Sequence, residues 1–210
     1  MNSTHKPIDE VLLNVRKAYR LLHDYQRMVL GAVRYIGSQL DITYNDGWSR
    51  FAECTRSGQN VKLEQSSWDW LPMTGYEFHF AKDLGDKKWL SLSFFIISDT
   101  GFFEGDDNEN DKENLSAYAS VEESSTKLAF IIRRKHWHPP REFMEDKVKM
   151  RNIIKEGGGL PDHLATAGFV GKCYDLSCLA SEDQANRVLD DILALAKANA
   201  LPLERVKKPQ

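Results

Sequence analysis

A long helical pattern at the start of the chain limits the possible folds more than any other feature. Apolar residues recur at helical spacing from Ile8 to Leu40. A helix of this length would extend roughly 50 Å if unbroken, which is longer than a domain of this size usually is. We therefore expect an interruption or bend near Gly31 or Gly37, because glycine lowers helix stability. Otherwise part of the helix packs on another chain.

The side of this helix that faces away from the apolar residues is basic. Its residues are Arg16, Arg20, His23, Arg27 and Arg34, and their spacing places them on one face. Such a stripe is typical of a solvated helix face, which is the interpretation that we favour. The same four arginines also suit docking to an acidic partner or to nucleic-acid phosphates, and we predict them as partner-binding residues.

The period of the apolar pattern changes to two after residue 70. Tyr76, Phe78 and Phe80 alternate with Glu77 and His79. Similar alternation is present over 90–97, 115–121 and 128–133, and turn residues lie at 84–86 and 123–125. Strands that follow each other through short turns predict a mainly antiparallel sheet of about five to six strands.

These patterns predict a single α+β domain over residues 1–210, built as two layers. The long helix 8–40 and later helices pack against a sheet within 42–138, which starts after a turn at Asn45-Asp46-Gly47. The pattern over residues 141–199 predicts a helix, a strand and a second helix, and Ser181 and Gln184 are predicted to cap the last helix. The acidic stretch 104–114 is expected to be a loop, and 200–210 a frayed tail.

The polar side of the predicted sheet provides the candidate catalytic residues. Glu77, His79 and Ser91 would lie on one face, together with Ser93, Tyr118 and Ser120 if the strands pair as drawn. A carboxylate beside an imidazole suits acid–base chemistry, and a nearby serine suits a nucleophile. The chain contains no Gly-x-Ser-x-Gly elbow, so we favour a solvated or helix-covered sheet face.

Two further pairs of residues are weaker candidates. His136 and His138 would point the same way from a strand and form part of a metal site, but no third ligand stands at a recognised spacing. We therefore predict no metal and no cofactor. Trp68 and Trp70 lie on one side of an extended segment, where they fill the edge of the core or act as a binding anchor.

Composition excludes several classes of protein. The net charge is −3, so nucleic-acid binding would need a local basic patch, and the acidic stretch 104–114 opposes it. The 3 cysteines form no Cys-x-x-Cys motif, which favours reduced thiols and a cytoplasmic location. No segment approaches the ~20 apolar residues of a membrane helix.

The sequence therefore favours a non-catalytic binding or accessory protein. We expect it to act through protein–protein contacts or self-association, using the long helix and the aromatic sheet edge. A small hydrolase or metal-dependent enzyme that uses Glu77 and His79 is the alternative. A second alternative, not favoured, is nucleic-acid binding through the basic face of the first helix.

Overall fold

The structure, a computed structural model, describes residues 7–50, 75–105, 114–134, 147–154 and 168–206, without the side chains of residues 50 and 147–149. The helices are α1 (Ile8–Gln39), α2 (Gly101–Glu104), α3 (Lys147–Ile154) and α4 (Glu182–Ala198). The strands are β1 (Thr43–Arg50), β2 (Gly75–Asp83), β3 (Trp89–Ile97), β4 (Lys127–Arg133) and β5 (Phe169–Asp175). Within these ranges, 3-10 helices lie at Leu115–Ala117 and Leu176–Leu179.

The described strands form one antiparallel sheet in the order β1-β2-β3-β4-β5. Each strand pairs in antiparallel fashion with the strands that precede and follow it in sequence, so the structure supplies the strand order that the sequence left open. A tight turn at 84–88 joins β2 to β3, and the residues Gly85, Asp86 and Lys87 in it all have positive φ. The predicted α+β class and antiparallel sheet are confirmed.

The main core lies between one face of this sheet and the helices α1 and α4. Leu92, Phe94 and Phe130 of the sheet are fully buried there. They pack with apolar residues of both helices, including Val33 of α1 and Leu189 of α4. The predicted packing of sheet against N-terminal and C-terminal helices is therefore confirmed.

A smaller apolar cluster covers part of the opposite face of the sheet. Phe95 and Ile131 of the sheet pack there with Phe103 of α2 and Met150 of α3. Arg151 of α3 donates hydrogen bonds to the carbonyl oxygens that end α2, with its Nη2 2.9 Å from the oxygen of Gly105. These bonds hold the two short helices together over the sheet.

The long first helix is not interrupted at either glycine. α1 is a continuous helix of 32 residues, about 48 Å long. Each glycine lowers helix stability by about 1 kcal/mol, which is less than burial of one large apolar side chain contributes. Val29, Val33 and Ile36 are buried along the same stretch, and their packing keeps the helix intact.

The predicted turn at Asn45-Asp46-Gly47 is wrong, because these residues lie within β1. The register with β2 shifts between Tyr44 and Asp46, which is a β-bulge. A Cβ at Gly47 would lie 2.5 Å from the carbonyl oxygen of Glu77. The glycine therefore allows a close approach of two strands instead of reversing the chain.

The predicted strand over 115–121 is also wrong. Leu115–Ala117 forms a 3-10 helix whose first turn is capped by the Asn114 side chain, which accepts from the backbone N–H of Ser116. The N–H of Ala119 donates to the carbonyl of Gly101, 3.0 Å away. Local capping and this contact with α2 satisfy the backbone here, so alternation alone does not produce a strand.

The C-terminal part of the chain, from the start of α4 onward, confirms one prediction and corrects another. The Ser181 hydroxyl accepts from the N–H of Gln184, 3.3 Å away, so the predicted cap of α4 is confirmed. The expected fraying of 200–210 is wrong for Leu201 and Leu203, which are buried beside the C-terminal end of α1. Within the described ranges, no helix has the length and apolar character needed to cross a membrane.

Candidate functional site

Three polar side chains of β2 and β3 form a chain of hydrogen bonds inside the protein. Glu77 and His79 are two residues apart on β2, so they point to the same face of the sheet. His79 stands opposite Ser93 of β3 in the strand register. Its Nδ1 lies 2.7 Å from the Ser93 Oγ, and its Nε2 lies 3.1 Å from a Glu77 carboxylate oxygen. The sequence-predicted pair Glu77 and His79 is thus brought together.

This polar chain lies in the packed interior. Glu77 and Ser93 are 0% exposed, and His79 is 2% exposed. The Trp48 ring of β1 lies tilted by 40° to the imidazole with the ring centroids 4.7 Å apart, and the Phe95 ring lies edge-on to the imidazole at 6.3 Å. The order serine, histidine, carboxylate suits acid–base chemistry in principle. Enclosed in this way, it satisfies buried polar groups and presents no surface to a substrate.

Ser91 was the predicted serine of this set, and the register explains why Ser93 takes its place. Ser91 is buried on the same face but stands opposite Ala81, two residue pairs closer to the turn of the hairpin. Only the pairing of β2 with β3 decides which serine meets the imidazole. Tyr118 and Ser120 do not join the face, because their segment is not a strand.

The predicted metal ligands and aromatic anchors fall beyond the structural description. His136, His138, Trp68 and Trp70 lie outside the described residues, as do residues 106–113 of the acidic stretch. In the ranges that are described, no group of three or more histidine, cysteine or acidic side chains is arranged to hold a metal ion.

The predicted basic stripe of α1 is at the surface. Arg16, Arg20, Arg27 and Arg34 are exposed, and the His23 Nδ1 lies 3.4 Å from the Asp24 carboxylate. Their placement on one exposed face agrees with the helical spacing. Arg34 differs from the other three because it borders a groove, described below.

The apolar side of α1 is buried in the C-terminal half of the helix and exposed in the N-terminal half. Val29, Val33 and Ile36 of the C-terminal half are at most 5% exposed. In the N-terminal half, the equivalent side chains are 40% to 66% exposed; we call them the N-terminal stripe, and they are Ile8, Val11, Leu12, Val15 and Tyr19. One amphipathic helix thus covers the sheet with half of its length and leaves the other half without cover from the described residues.

A groove lies between the C-terminal half of α1 and strands β1 and β2. Its volume is about 360 Å³. The lining is mostly apolar and comprises Leu30, Val33, Arg34, Gly37, Ser38, Ile42, Tyr44, Phe78 and Phe80. The Tyr44 ring meets the Phe80 ring edge-on at 5.4 Å. Partial burial, followed by the nearby charge of Asp46, raises the pKa of the Tyr44 phenol.

Sequence reasoning missed this groove for an identifiable reason. The sequence predicts a turn directly after Tyr44, at Asn45-Asp46-Gly47, and a helix break near Gly31 or Gly37, so it does not predict that Tyr44 and Gly37 line one groove. The one available signal was Gly37, a small residue on the apolar side of a long helix. A small side chain at such a position allows a neighbouring ring to approach the helix closely.

The described cysteines, Cys173 and Cys178, are free thiols. Burial raises the pKa of Cys173 to about 12 and that of Cys178 to about 11. Since the thiolate is the reactive form, neither residue has the properties of a nucleophile.

Comparison with known proteins identifies the family of this chain. A family model described as PM0109 matches residues 5–202. The chain belongs to the PM0109 family. No curated protein and no solved structure matches it. The PM0109 match begins before α1 and ends after α4, so the N-terminal stripe and the groove both lie within the part of the chain that this family shares.

Proposed function

We propose that this chain is a non-catalytic binding protein that associates with a second copy of itself through the N-terminal half of α1. The single observation that supports this is the bare N-terminal stripe. Ile8 is 66% exposed and Tyr19 is 60% exposed, on a helix whose same side is fully packed further along. Exposed apolar surface of this kind marks an interaction site.

The spacing of the stripe suits pairing of helices. Ile8, Val15 and Leu22 are seven residues apart, and the series continues to Val29 and Ile36 in the core. Apolar residues that repeat every seven positions form one line along a helix, and this line can face a partner helix. We call the line formed by Ile8, Val15 and Leu22 the seam. From Ile8 to Leu22 the seam spans about 22 Å of helix.

The sheet and the helices packed on it, which we call the folded body, lie at the C-terminal half of α1, and this position favours an antiparallel pair. In each copy the sheet covers the same side of α1 from about Val29 onward. A parallel partner helix would run into that sheet. In an antiparallel pair that crosses at Val15, Ile8 of one copy lies beside Leu22 of the other. The two folded bodies are then at opposite ends of the pair.

Charge complementarity supports the same orientation. The first turn of α1 is acidic, with Asp9 and Glu10, whereas Arg16, Lys17 and Arg20 make the following turns basic. Crossing at Val15 places the acidic turn of each copy alongside Arg20 of the other. A parallel pair would align like charges along its whole length, which is unfavourable. An arrangement related by a two-fold axis is also the commonest form of homo-oligomer.

The expected affinity is modest. Five half-exposed side chains from each copy would gain about 1 kcal/mol each on burial, so about 10 kcal/mol in total. The translational and rotational entropy that is lost on association offsets a large part of this free energy. We therefore expect a dissociation constant in the micromolar range, about 1 to 100 μM.

Two neighbouring leucines provide a matched test of this proposal. Leu12 belongs to the N-terminal stripe and is 46% exposed, whereas Leu13 is 42% exposed and lies about 100° around the helix. Sedimentation velocity should show a dimer for the wild type and for Leu13→Glu, and a monomer for Leu12→Glu. A wild-type monomer at about 200 μM, or an equal effect of both substitutions, would contradict the proposal.

A cytoplasmic location is part of the same proposal. Cys173 and Cys178 support it, because unpaired cysteines are usual in a reducing compartment.

A further inference from the structure

We propose that the groove beside α1 binds a small organic carboxylate with an aromatic or short aliphatic body. The volume of about 360 Å³ is in the range of small-molecule sites. The groove lies on the C-terminal half of α1, beyond the proposed dimer contact. The two proposals are therefore independent of each other.

The wall of the groove selects an apolar ligand body. Val33, Phe78 and Phe80 are each at most 8% exposed and form its inner side. Leu30 and Tyr44, which are 39% and 52% exposed, stand at its opening. Aromatic rings on two sides suit a flat ring or a short chain, since offset and edge-to-face ring contacts are favourable.

Gly37 shapes the inner end of the groove. A Cβ at this position would lie 2.6 Å from Cε1 of Phe80, so a larger residue would displace the ring. The Phe80 ring is held on its other side by Phe94, with ring centroids 5.7 Å apart. The groove is thus bounded by a fixed aromatic ring, which suits a preformed site.

Arg34 supplies the charge that selects an anion. It borders the groove, is exposed, and forms no ion pair with any described residue. A guanidinium presents paired donors that match a carboxylate. Ser38 also lines the groove, but its hydroxyl already donates to the carbonyl of Tyr35, 2.7 Å away, and accepts from Nε2 of Gln39, 3.3 Å away, so the carboxylate is recognised through Arg34.

The charges around the groove orient the ligand. Burial and, second to it, the negative charge of Asp46 raise the pKa of the Tyr44 phenol. The end of the groove near β1 is therefore electronegative relative to the end near Arg34. An anionic group is favoured beside Arg34, with its apolar body directed toward Phe78 and Phe80.

Isothermal titration calorimetry with 2-naphthoate tests this site. The experiment uses the Leu12→Glu variant of the full chain, so that it does not depend on dimer formation. The neutral analogue 2-naphthylmethanol serves as the uncharged ligand. We expect naphthoate to bind about tenfold more tightly than the alcohol, which corresponds to about 1.4 kcal/mol.

Arg34→Gln should remove this tenfold preference and leave the affinity for the alcohol unchanged. Arg27→Gln is the matched control, because Arg27 lies on the same helix seven residues earlier and does not line the groove. Methyl NMR spectra should show shifts at Val33 and Ile42. The proposal is overturned by three results: no saturable binding at about 5 mM naphthoate, an equal effect of both arginine substitutions, or shifts confined to the N-terminal stripe.

Discussion

Gly37 of α1 and Phe80 of β2 are in direct contact, because a Cβ at position 37 would come within 2.6 Å of Cε1 of the ring. This contact brings the C-terminal half of α1 onto the sheet and shapes one end of the groove. Gly31, six residues earlier on the same helix, has no atom within 4 Å of an equivalent Cβ. Two glycines of one helix thus have different roles.

Alanine at these two positions should therefore have opposite effects. Gly31→Ala should raise the free energy of unfolding by about 0.8 kcal/mol, because alanine favours the helix. Gly37→Ala gains the same propensity but displaces Phe80, and overpacking costs about 1–3 kcal/mol, so we expect a net loss of about 1 kcal/mol. Urea denaturation of both variants at one protein concentration measures the difference. Stabilisation by both substitutions would contradict the contact.

Substitution of Glu77 should destabilise the protein through His79. In Glu77→Leu the imidazole Nε2 loses its 3.1 Å carboxylate partner in an interior where water cannot replace it. We expect a loss of about 2 kcal/mol in the free energy of unfolding. Glu204→Leu is the matched control, since Glu204 is exposed, and it should change stability by less than about 0.5 kcal/mol. Equal effects of both substitutions would show that the buried hydrogen bond contributes nothing.

The ion pair of Asp191 should make a small contribution to stability that depends on pH. A hydrogen bond from Lys172, 2.7 Å away, and then one from Tyr174 lower the pKa of Asp191 below its usual 3.8, against the opposing effect of burial. A carboxyl with a lowered pKa in the folded state stabilises the protein above its unfolded pKa. This stabilisation is lost as the pH falls through the folded value.

Asp191→Asn should thus lower the free energy of unfolding at pH 7 by no more than about 0.5 kcal/mol, since the pair is half-exposed. The difference from the wild type should shrink between pH 7 and the acid range below about pH 4, where the Asp191 carboxyl becomes protonated. Thermal unfolding between these pH values measures it. A difference that stays constant with pH would exclude the carboxylate as its origin.

Cysteine substitutions should reveal the orientation of the proposed helix pair. In an antiparallel pair that crosses at Val15, the two Val15 positions face each other and the two Ile8 positions lie far apart. Oxidation of Val15→Cys should therefore yield a disulfide-linked dimer on a non-reducing gel, and oxidation of Ile8→Cys should not. The background variant carries Cys54→Ser.

The other native thiols should not interfere with this experiment, because burial raises the pKa of Cys173 to about 12 and of Cys178 to about 11. A matching yield of linked dimer from both substitutions would indicate parallel helices. Absence of any linked dimer would count against the seam itself.

Local patterns were sufficient for most of the secondary structure. The alternation at Tyr76–Phe80 predicts β2, and the Ser181 cap predicts the start of α4, because both depend on residues close together in sequence. The same reasoning failed at residues 115–121. There, contacts with Gly101 in α2 satisfy the backbone, so a segment with strand-like alternation forms a 3-10 helix and turn.

The sequence by itself determined the α+β class, the antiparallel character of the sheet and the amphipathic character of α1, since side-chain period, short turns and capping are local properties. Only the tertiary structure decided that Ser93 meets His79, that Gly37 meets Phe80, and that α1 leaves its N-terminal half bare. Strand register and the length of helix that a sheet can cover depend on contacts between residues far apart in the chain.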